Sequence, residues 1–406
     1  MIELKDVAPP SVERFRSRAV MVAGAGIVLA IAGFVLAGEE QFYRSYLLAY
    51  MFWLGLTLGS LGLLMIQHMT GGAWGTVTRR NCEAAARLFP LMFLLFLPLL
   101  AALLRHKLYI WTMDPSLWTP EMQGSIEQKA RYYLNVPFFI VRVVIYFLIW
   151  WLFSSQLNKY SRRQDETGDR FLAKTMTKIS GPGLVICGIM ITFATIDWTM
   201  SLDPTWYSTI WGVIFIGGQL LSAMAFSIIV LAVLSTDGPL SGYIKPAHFH
   251  DMGKLMLAFL LLWAYFSVSQ LIIVWSGNIP EEAKWYTRRL GTSWKVLGAI
   301  LVLCHFAIPY FLLLSRDLKR HSRRLIWLAA WMMLMRYVDL YWLFGPELHG
   351  SIQGHDTPFT VHWLDIVMWA AIGGIWLWFW AGELRKRPLL PLKDPFLEEG
   401  LHPSHH

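Results

Sequence analysis

Charged residues are scarce in this chain. Of its 406 residues, 15% are Asp, Glu, Lys or Arg, whereas soluble domains average about 25%. Apolar residues make up 56% of the sequence, and Trp alone occurs 21 times. This composition excludes a disordered protein, a secreted disulfide scaffold and a typical water-soluble enzyme. It is typical of a chain whose surface lies mostly in lipid.

Cysteine is also scarce. The three cysteines, Cys82, Cys187 and Cys304, lie far apart and form no C-x-x-C or C-x-x-C-H pattern. Their spacing gives no support for a c-type haem, an iron–sulfur cluster or a structural zinc site. The net charge of +8 comes from short basic blocks between apolar runs. Such blocks indicate membrane orientation and contact with anionic lipid heads rather than nucleic-acid binding.

Long apolar runs dominate the rest of the sequence. A helix of about 20 mostly apolar residues crosses the hydrocarbon layer of a membrane. Ten such runs occupy residues 19–38, 45–67, 87–104, 136–153, 179–197, 210–234, 252–275, 294–314, 325–344 and 362–382. We therefore predict an all-α integral membrane protein with about ten transmembrane helices. Its N-terminal segment would cover 1–18, its transmembrane domain 19–382 and its C-terminal tail, with little order of its own, 383–406.

Basic residues are distributed unevenly between the two sides of these helices. The termini and the connections on the N-terminal side hold 24 Lys and Arg residues, and the opposite connections hold nine. Because cytoplasmic segments carry an excess of Lys and Arg, both termini are predicted to be cytoplasmic.

Several ionisable residues fall inside the apolar runs, where a charge is expensive and marks a functional candidate. Arg142 lies in the fourth run, Arg336 and Asp339 lie one turn apart in the ninth, and His305 lies alone in the eighth. Two simpler interpretations stay open. Arg336 and Asp339 would neutralise each other as a structural pair, and His305 would be a packed residue with its hydrogen bonds satisfied.

A second group lies at the ends of the runs. On the outer side, Asp197 ends the fifth run, and His362 and Asp365 begin the tenth. Carboxylates and histidines in a low dielectric can accept and release protons, so with Arg142 and Asp339 they predict an outer proton-transfer cluster. His68, His248 and Asp251 form an inner set, for which solvated loop ends are the simpler explanation.

Two outer connections share an outline of Trp-Thr-Met, Asp-Pro and Trp. They are residues 111–118 and 198–206. Trp and Tyr at these positions are typical of an interfacial aromatic belt, and Asp-Pro is typical of a turn. A functional alternative is that Trp198, Trp206 and Tyr207 line an apolar pocket for a ring.

The same loop carries a family resemblance. The segment from Ile196 to Thr209, with Asp197-Trp198 and Asp203-Pro204, resembles the matching loop of the membrane subunits of bacterial alternative complex III, a quinol:cytochrome c oxidoreductase. The segment from Tyr133 to Arg142 resembles the start of their fourth helix. The chain is most similar to the shorter, ActF-type subunit of the NrfD-like, or polysulfide-reductase membrane-subunit, group.

This resemblance implies a core of two four-helix bundles with flanking helices, in a bacterial cytoplasmic membrane. It implies a second NrfD-like subunit, small membrane anchors, and periplasmic subunits that carry iron–sulfur clusters and c-type haem. The chain itself would bind no redox cofactor, and its ligand would be a quinone such as menaquinone. It would contribute a proton pathway and part of a quinol site.

Quinol oxidation releases two protons with two electrons, so a site near the outer face needs a base and a polar exit. We expect Asp197 to take the first proton and Asp203 to serve as the exit group. Arg142 would hold a carboxylate in its ionised form or contact a quinone carbonyl. His362 and Asp365 would extend the route inward, and the remaining candidates are Arg336, Asp339, His305, His68, His248 and Asp251.

Three other functions compete with this prediction. Ten spans with buried charges also suit a secondary transporter, although no paired interrupted helices are evident across the two halves. A b-type haem needs two facing histidines, and central histidines are few. In a purely structural subunit, Asp197 and its neighbours would only organise an interface.

Overall fold

The computed structural model describes residues 10–237, 240–348 and 358–401, and these fold into helices joined by short turns, with no β-strand among them. Residues 1–9 of the predicted N-terminal segment and 402–406 of the predicted tail lie outside the described residues. The helices are α1 Pro10–Ala37, α2 Glu39–Thr70, α3 Ala73–Ala86, α4 Phe89–Leu104, α5 Pro120–Ala130, α6 Val136–Thr167, α7 Phe171–Trp198, α8 Trp211–Asp237, α9 Pro246–Gly277, α10 Pro280–Leu290, α11 Trp294–Ile300, α12 Ile308–Leu314, α13 Arg316–Arg320, α14 Ser322–Leu348, α15 Trp363–Leu384 and α16 Leu397–Leu401. A π-helical turn, Leu301–Ala307, joins α11 to α12.

Every predicted apolar run lies on a helix, and the prediction of an all-α multi-pass membrane protein is confirmed. Eight helices in the described ranges are long and apolar enough to span a membrane, counting α11, the π turn and α12 as one. Helices α3 and α4, bent by 42° at their junction, would make a ninth span. Helix α14 contains the run 325–344 but is not among the eight, because Arg336, Asp339 and several Trp and Tyr residues lower its mean hydropathy.

The long helices form two four-helix bundles, as expected. Bundle one consists of α2, α4, α6 and α7, and bundle two consists of α8, α9, the α11–α12 stretch and α14. Helix α2 packs against α8 to join the bundles, and α1 and α15 pack together beside α2. This arrangement gives each bundle its own buried interior.

Small residues allow the closest helix approaches. A Cβ atom added at Gly59 of α2 would lie 2.1 Å from the carbonyl oxygen of Gln219 in α8. One added at Gly26 of α1 would lie 2.7 Å from the Ala371 backbone in α15. Close backbone approach through small residues is how helices associate in lipid, so these glycines set the separation of their helices.

Successive connections alternate between two faces of the molecule. One face, here called the tail face, carries α3, α13, α16 and both described chain ends, where Arg385 forms an ion pair with Glu13. The opposite loop face carries the connections 105–135, 199–210 and 276–293, which contact one another. This alternation is the one predicted from ten spans. Which face is cytoplasmic stays a prediction.

Two features of the tail face were not evident from the sequence. Residues 73–86, predicted to be part of a connection, form α3, and the tail up to residue 401 is packed against that helix. Arg79 of α3 pairs with Asp394 of the tail, and Leu390 of the tail is fully buried. Composition alone indicated little order for the tail. Its charges can be buried only because they lie beside the opposite charges of α3, and composition does not show that contact.

Candidate functional site

The loop 199–210 is held down on the loop face by a set of ion pairs, here called the loop clasp. Asp203 accepts from Arg288 of α10 at 2.5 Å and from both the backbone N–H and the hydroxyl of Thr205 at 2.9 and 2.6 Å. Lys129 of α5 donates to the carbonyl oxygen of Pro204 at 2.5 Å. Lys284 of α10 links the Thr205 hydroxyl to the α5 helix.

The folded structure lowers the pKa of two groups in the loop clasp, Asp203 and Lys129. Burial acts to raise the pKa of Asp203, but the Arg288 guanidinium and the hydrogen bonds from Thr205 and Arg288 outweigh it and hold that pKa below its usual range. Burial lowers the pKa of Lys129, opposed by the charge of Asp203 and assisted by that of Lys284. The clasp therefore keeps Asp203 as an ionised carboxylate that ties the loop to α10.

Asp197 and Arg142 form a closed ion pair in bundle one. Arg142 donates from Nε and Nη2 to Oδ2 and Oδ1 of Asp197 at 2.7 and 2.9 Å, and the Tyr146 hydroxyl donates to Oδ2 at 2.7 Å. The guanidinium also donates to the carbonyl oxygen of Tyr133 and lies 4.0 Å from the centre of its ring. Both carboxylate oxygens of Asp197 are thus occupied, and its side chain has no exposed surface.

The three aromatic residues predicted to share one pocket lie in different places. Trp198 is buried in bundle one against Phe96 and Trp150, with its ring centre 4.7 Å from that of Phe96. Tyr207 is 55% exposed on the loop face. Only Trp206 lines the large cavity described below.

A second buried ion pair lies in bundle two. Arg336 and Asp339, one turn apart on α14, pair through Oδ2 of Asp339, and that same oxygen accepts from the Trp263 indole of α9 at 3.1 Å. The other oxygen, Oδ1, accepts no hydrogen bond from any residue in the described ranges. Arg336 and Asp339 thus form the ion pair that the sequence left open as one of two interpretations, and this pair leaves one carboxylate oxygen unused.

A cavity of about 630 Å³ in bundle two reaches Asp339. Its walls come from α8, α9, α10, the α11–π stretch and α14, and they are almost entirely apolar and aromatic. The flat side chains that line it are Trp206, Trp211, Trp263, Trp285, Tyr286, Phe306 and Trp342. Its polar groups include Asp339 and Gln270, so it has the character of a small-molecule pocket.

The cavity opens sideways through the surface of bundle two. Among its lining residues, Val268 and Ile272 of α9 are 51% and 55% exposed, and Val302 of the π turn is 62% exposed. All three side chains are apolar and belong to membrane-spanning helices. A lipid-soluble molecule can therefore reach Asp339 from the hydrocarbon layer.

His305 lies behind this cavity. It is fully buried in the π turn, and its ring centre is 4.2 Å from that of Trp263. Neither ring nitrogen has a hydrogen-bond partner among the residues that the structure describes. The interpretation of His305 as a satisfied packing residue does not fit this environment. π-helical turns occur often at functional sites, and this turn brings an unpaired imidazole to the back of the cavity wall.

One further buried ion pair, which the sequence did not indicate, shapes the cavity. Arg289 of α10 is fully buried, donates to both oxygens of Glu347 at 3.0 and 2.7 Å, and binds the carbonyl oxygens of Trp342 and Leu343. Its guanidinium lies 3.5 Å from the ring centre of Trp285. Neither residue lies within a predicted span. The only sequence signal was the neighbouring basic dipeptide 288–289 beside Trp285.

Two other residues predicted for the outer cluster, His362 and Asp365, lie at the start of helix α15. Asp365 accepts from the Ser45 hydroxyl at 2.6 Å and from the His362 backbone N–H at 2.8 Å, and His362 accepts from the Leu364 backbone N–H. These contacts cap the N-terminus of α15, where an acidic group is favoured. No hydrogen bond or ion pair in the described residues joins them to Asp197 or Asp339.

The inner candidates lie on the tail face. His248 is buried between the backbone N–H of Lys245 and the carbonyl oxygen of Gly400, so it anchors the tail to α9. Asp251 pairs with Lys254 on the surface. His68 has a buried, unpartnered Nε2. The predicted outer cluster is thus divided among bundle one, bundle two and the α15 cap.

Metal ligands are not grouped in the described parts of the chain, where no set of three His, Cys, Asp or Glu side chains could hold an ion. In the comparisons with known proteins, no protein-family model and no curated protein matched the chain.

Proposed function

We propose that the chain is the membrane subunit of a quinol-oxidising complex of the alternative complex III type, in which it conducts protons while partner subunits carry electrons. The observation that carries this proposal is the Arg336–Asp339 pair at the inner end of the lateral cavity, with Oδ1 of Asp339 unpaired. A carboxylate in this position can accept a proton from a hydroxyl that enters from the lipid.

Polar side chains lead from this pair toward the tail face. The Arg336 guanidinium lies against Gly218 of α8, whose carbonyl oxygen accepts from the Ser222 hydroxyl at 2.6 Å. Further along α8, the Ser227 hydroxyl accepts from Asn81 of α3 at 2.8 Å. Asn81 lies two residues before Glu83, which pairs with Arg79 and Arg80 in a buried ionic cluster on the tail face. With waters between them, these groups form one half of a proton route.

The proposal gives Asp339 the role that sequence analysis assigned to Asp197. Both oxygens of Asp197 are already bonded to Arg142, and one also to Tyr146, in a closed interior. A proton acceptor needs an accessible lone pair directed at its donor, and the Asp197 side chain has no exposed surface. Asp197 and Arg142 then hold α6 and α7 together beneath the loop clasp.

The assembly and its setting belong to the same proposal. The tail face, which carries the excess of Lys and Arg, faces the cytoplasm of a bacterial cell, and the loop face meets periplasmic iron–sulfur and c-haem subunits. A second NrfD-like subunit and small anchors complete the complex. The electrons of the quinol pass to an iron–sulfur cluster of a partner subunit.

The test is Asp339→Asn in the complex purified from membranes, reconstituted in liposomes. We expect quinol turnover and proton release per folded complex to fall by about tenfold or more, since the amide is no base. The rates are counted per folded complex because the variant also leaves Arg336 buried without its counter-charge, as Asp197→Asn does for Arg142. Asp197→Asn is the parallel variant and should change stability more than the rate per folded complex. Unchanged turnover and proton release in Asp339→Asn would overturn the proposal.

Secondary transport is the competing function. Transporters of this size use interrupted helices in corresponding positions of two halves. In this chain the two interruptions do not lie in corresponding positions. One is the α3–α4 bend in the second helix of bundle one, and the other is the π turn in the third helix of bundle two. A transporter would purify alone, whereas the proposed subunit brings haem-bearing partners with it.

A further inference from the structure

We propose that a cavity between the tail-face ends of α1 and α15 binds the headgroup of an anionic phospholipid, with the phosphate beside Arg16 and the acyl chains beside Phe379. The cavity has a volume of about 380 Å³ and is lined by Arg16 of α1 and by side chains of residues 378–386 around the end of α15. The site depends on α1 and α15 crossing the membrane, and not on the proposed function.

Arg16 is a cation with no hydrogen-bonded partner among the residues that the structure describes. Its guanidinium lies 5.0 Å from the centre of the Trp378 ring, which fixes its position over α15. Its one ion pair with a described residue is long, because Nη1 lies 3.8 Å from a carboxylate oxygen of Glu13, beyond hydrogen-bonding distance. The side chain is 28% exposed, so an anion that enters the cavity can reach its N–H groups.

Cations outnumber carboxylates around the cavity. Three basic residues, Arg16, Arg385 and Lys386, meet two acidic ones, Glu13 and Glu383. Both carboxylates already have closer partners, since Glu13 pairs with Arg385 and Glu383 pairs with Lys386 at 2.5 Å. One cation, Arg16, is thus in excess. A phosphodiester carries one negative charge and accepts charge-assisted hydrogen bonds from a guanidinium, so it complements this cavity.

The cavity lies at the depth of lipid headgroups. Helices α1 and α15 are both long and apolar enough to span a membrane, and the cavity lies where α1 begins and α15 ends. Trp378 and Phe379 form its apolar side, and Phe379 is 41% exposed. Aromatic rings concentrate at this boundary, and basic pockets between spanning helices bind anionic headgroups. A free phosphate would use only the cations, whereas a phospholipid uses the cations and the aromatic side.

The test uses a photoactivatable phosphatidylglycerol. The full-length protein, purified with any partners it retains, is placed in phosphatidylcholine nanodiscs that contain a small proportion of this probe. After illumination, labelled peptides are quantified by mass spectrometry. We expect label on residues 378–386.

Two neighbouring arginines of α1 provide the matched comparison. Arg16→Gln should reduce the label by about tenfold or more, through the loss of a charge-assisted hydrogen bond to the phosphate. Arg18→Gln removes an exposed cation from the same turn of α1, but Arg18 does not line the cavity. This variant should keep the label unchanged.

Two further variants leave Arg16 in place. A Cβ atom added at Gly382 would lie 3.8 Å from Nε of Arg16, so Gly382→Leu fills the cavity without a change of charge. It should reduce the label by about tenfold or more. Glu13→Gln removes the carboxylate that competes for Arg16 and should raise the label by about two- to fivefold. Thermal unfolding in detergent checks that each variant is folded.

Several results would overturn the site. Equal label in Arg16→Gln and Arg18→Gln would mean that the basic residues attract the lipid only diffusely. Full label in folded Gly382→Leu would place the lipid outside the cavity. Equal label from a phosphatidylcholine probe would remove the preference for an anionic headgroup. Displacement of the probe by excess inorganic phosphate would assign the cavity to free phosphate instead of lipid.

Discussion

Arg142 on α6 binds both oxygens of Asp197 at the end of α7, at 2.7 and 2.9 Å, with neither side chain more than 7% exposed. This two-point geometry fixes the helices both in separation and in rotation, since a planar guanidinium matches a carboxylate in one orientation. The pair occupies the top of bundle one, directly under the loop that carries the most distinctive sequence motif.

Asp197→Asn should destabilise the protein by about 3–5 kcal/mol, because it leaves the Arg142 charge buried without a counter-charge. The measurement is thermal unfolding in detergent. The double variant Arg142→Met, Asp197→Leu is the control and should recover most of the loss, since an apolar pair of similar size leaves no buried charge. A single variant as stable as the natural protein would contradict this account.

The loop clasp should open in acid. The pKa of Asp203 is lowered in the folded protein, so the unfolded chain binds the proton more readily. The stabilisation is complete above the ordinary aspartate pKa of about 3.9 and is lost as the pH falls through the lowered value. The protection of residues 200–208 against hydrogen exchange, measured relative to the intrinsic exchange rate at each pH, should therefore fall below about pH 4. In Asp203→Asn this protection should be low at neutral pH as well, and equal pH profiles for the two proteins would refute this assignment.

Two glycines should respond in opposite directions to the same change. Gly59→Ala puts a methyl group against the Gln219 backbone, forces α2 away from α8 and should cost about 1–3 kcal/mol. Gly24→Ala meets no atom within 4 Å and should stabilise α1 by about 0.5–1 kcal/mol. Thermal unfolding of the two variants provides the comparison. Equal effects would mean that Gly59 does not set the distance between the bundles.

The tail should detach when Glu83 is neutralised. Glu83 contacts Arg79, Arg80 and Arg387, at 3.0, 2.7 and 3.2 Å. Its absence leaves three arginines in mutual repulsion, and burial already lowers the pKa of Arg387 to about 10 against the pull of Glu83. Glu83→Gln should make the bond after Lys393 accessible to trypsin.

The control for this prediction is Glu13→Gln. Glu13 also pairs with a basic residue of the same region, Arg385, but on the surface, with its side chain 56% exposed. Exposed pairs contribute little, so trypsin should cut Glu13→Gln as slowly as the natural protein. Equal protection in both variants would show that the ionic cluster does not hold the tail.

Individual residues show how far the sequence predicts the site. Hydropathy located all ten apolar runs. The free-energy cost of an ionisable side chain in hydrocarbon marked four residues as functional candidates: Arg142, Arg336, Asp339 and His305. It did not show that Arg142 would use up Asp197 while Asp339 kept an oxygen free, because the partners come from other helices. Arg289 and Glu347 escaped notice since both lie outside the apolar runs, where charges are unremarkable until the fold buries them.

The sequence by itself determined that this is a multi-pass helical membrane protein, because a chain this apolar must satisfy its backbone hydrogen bonds within each helix while crossing lipid. It also determined the alternation of connections between two faces. Only the tertiary structure decided which polar groups meet, where a cavity remains and where that cavity opens. Those features depend on the side chains that facing helices bring into contact, and contacts between distant segments have no period along the chain.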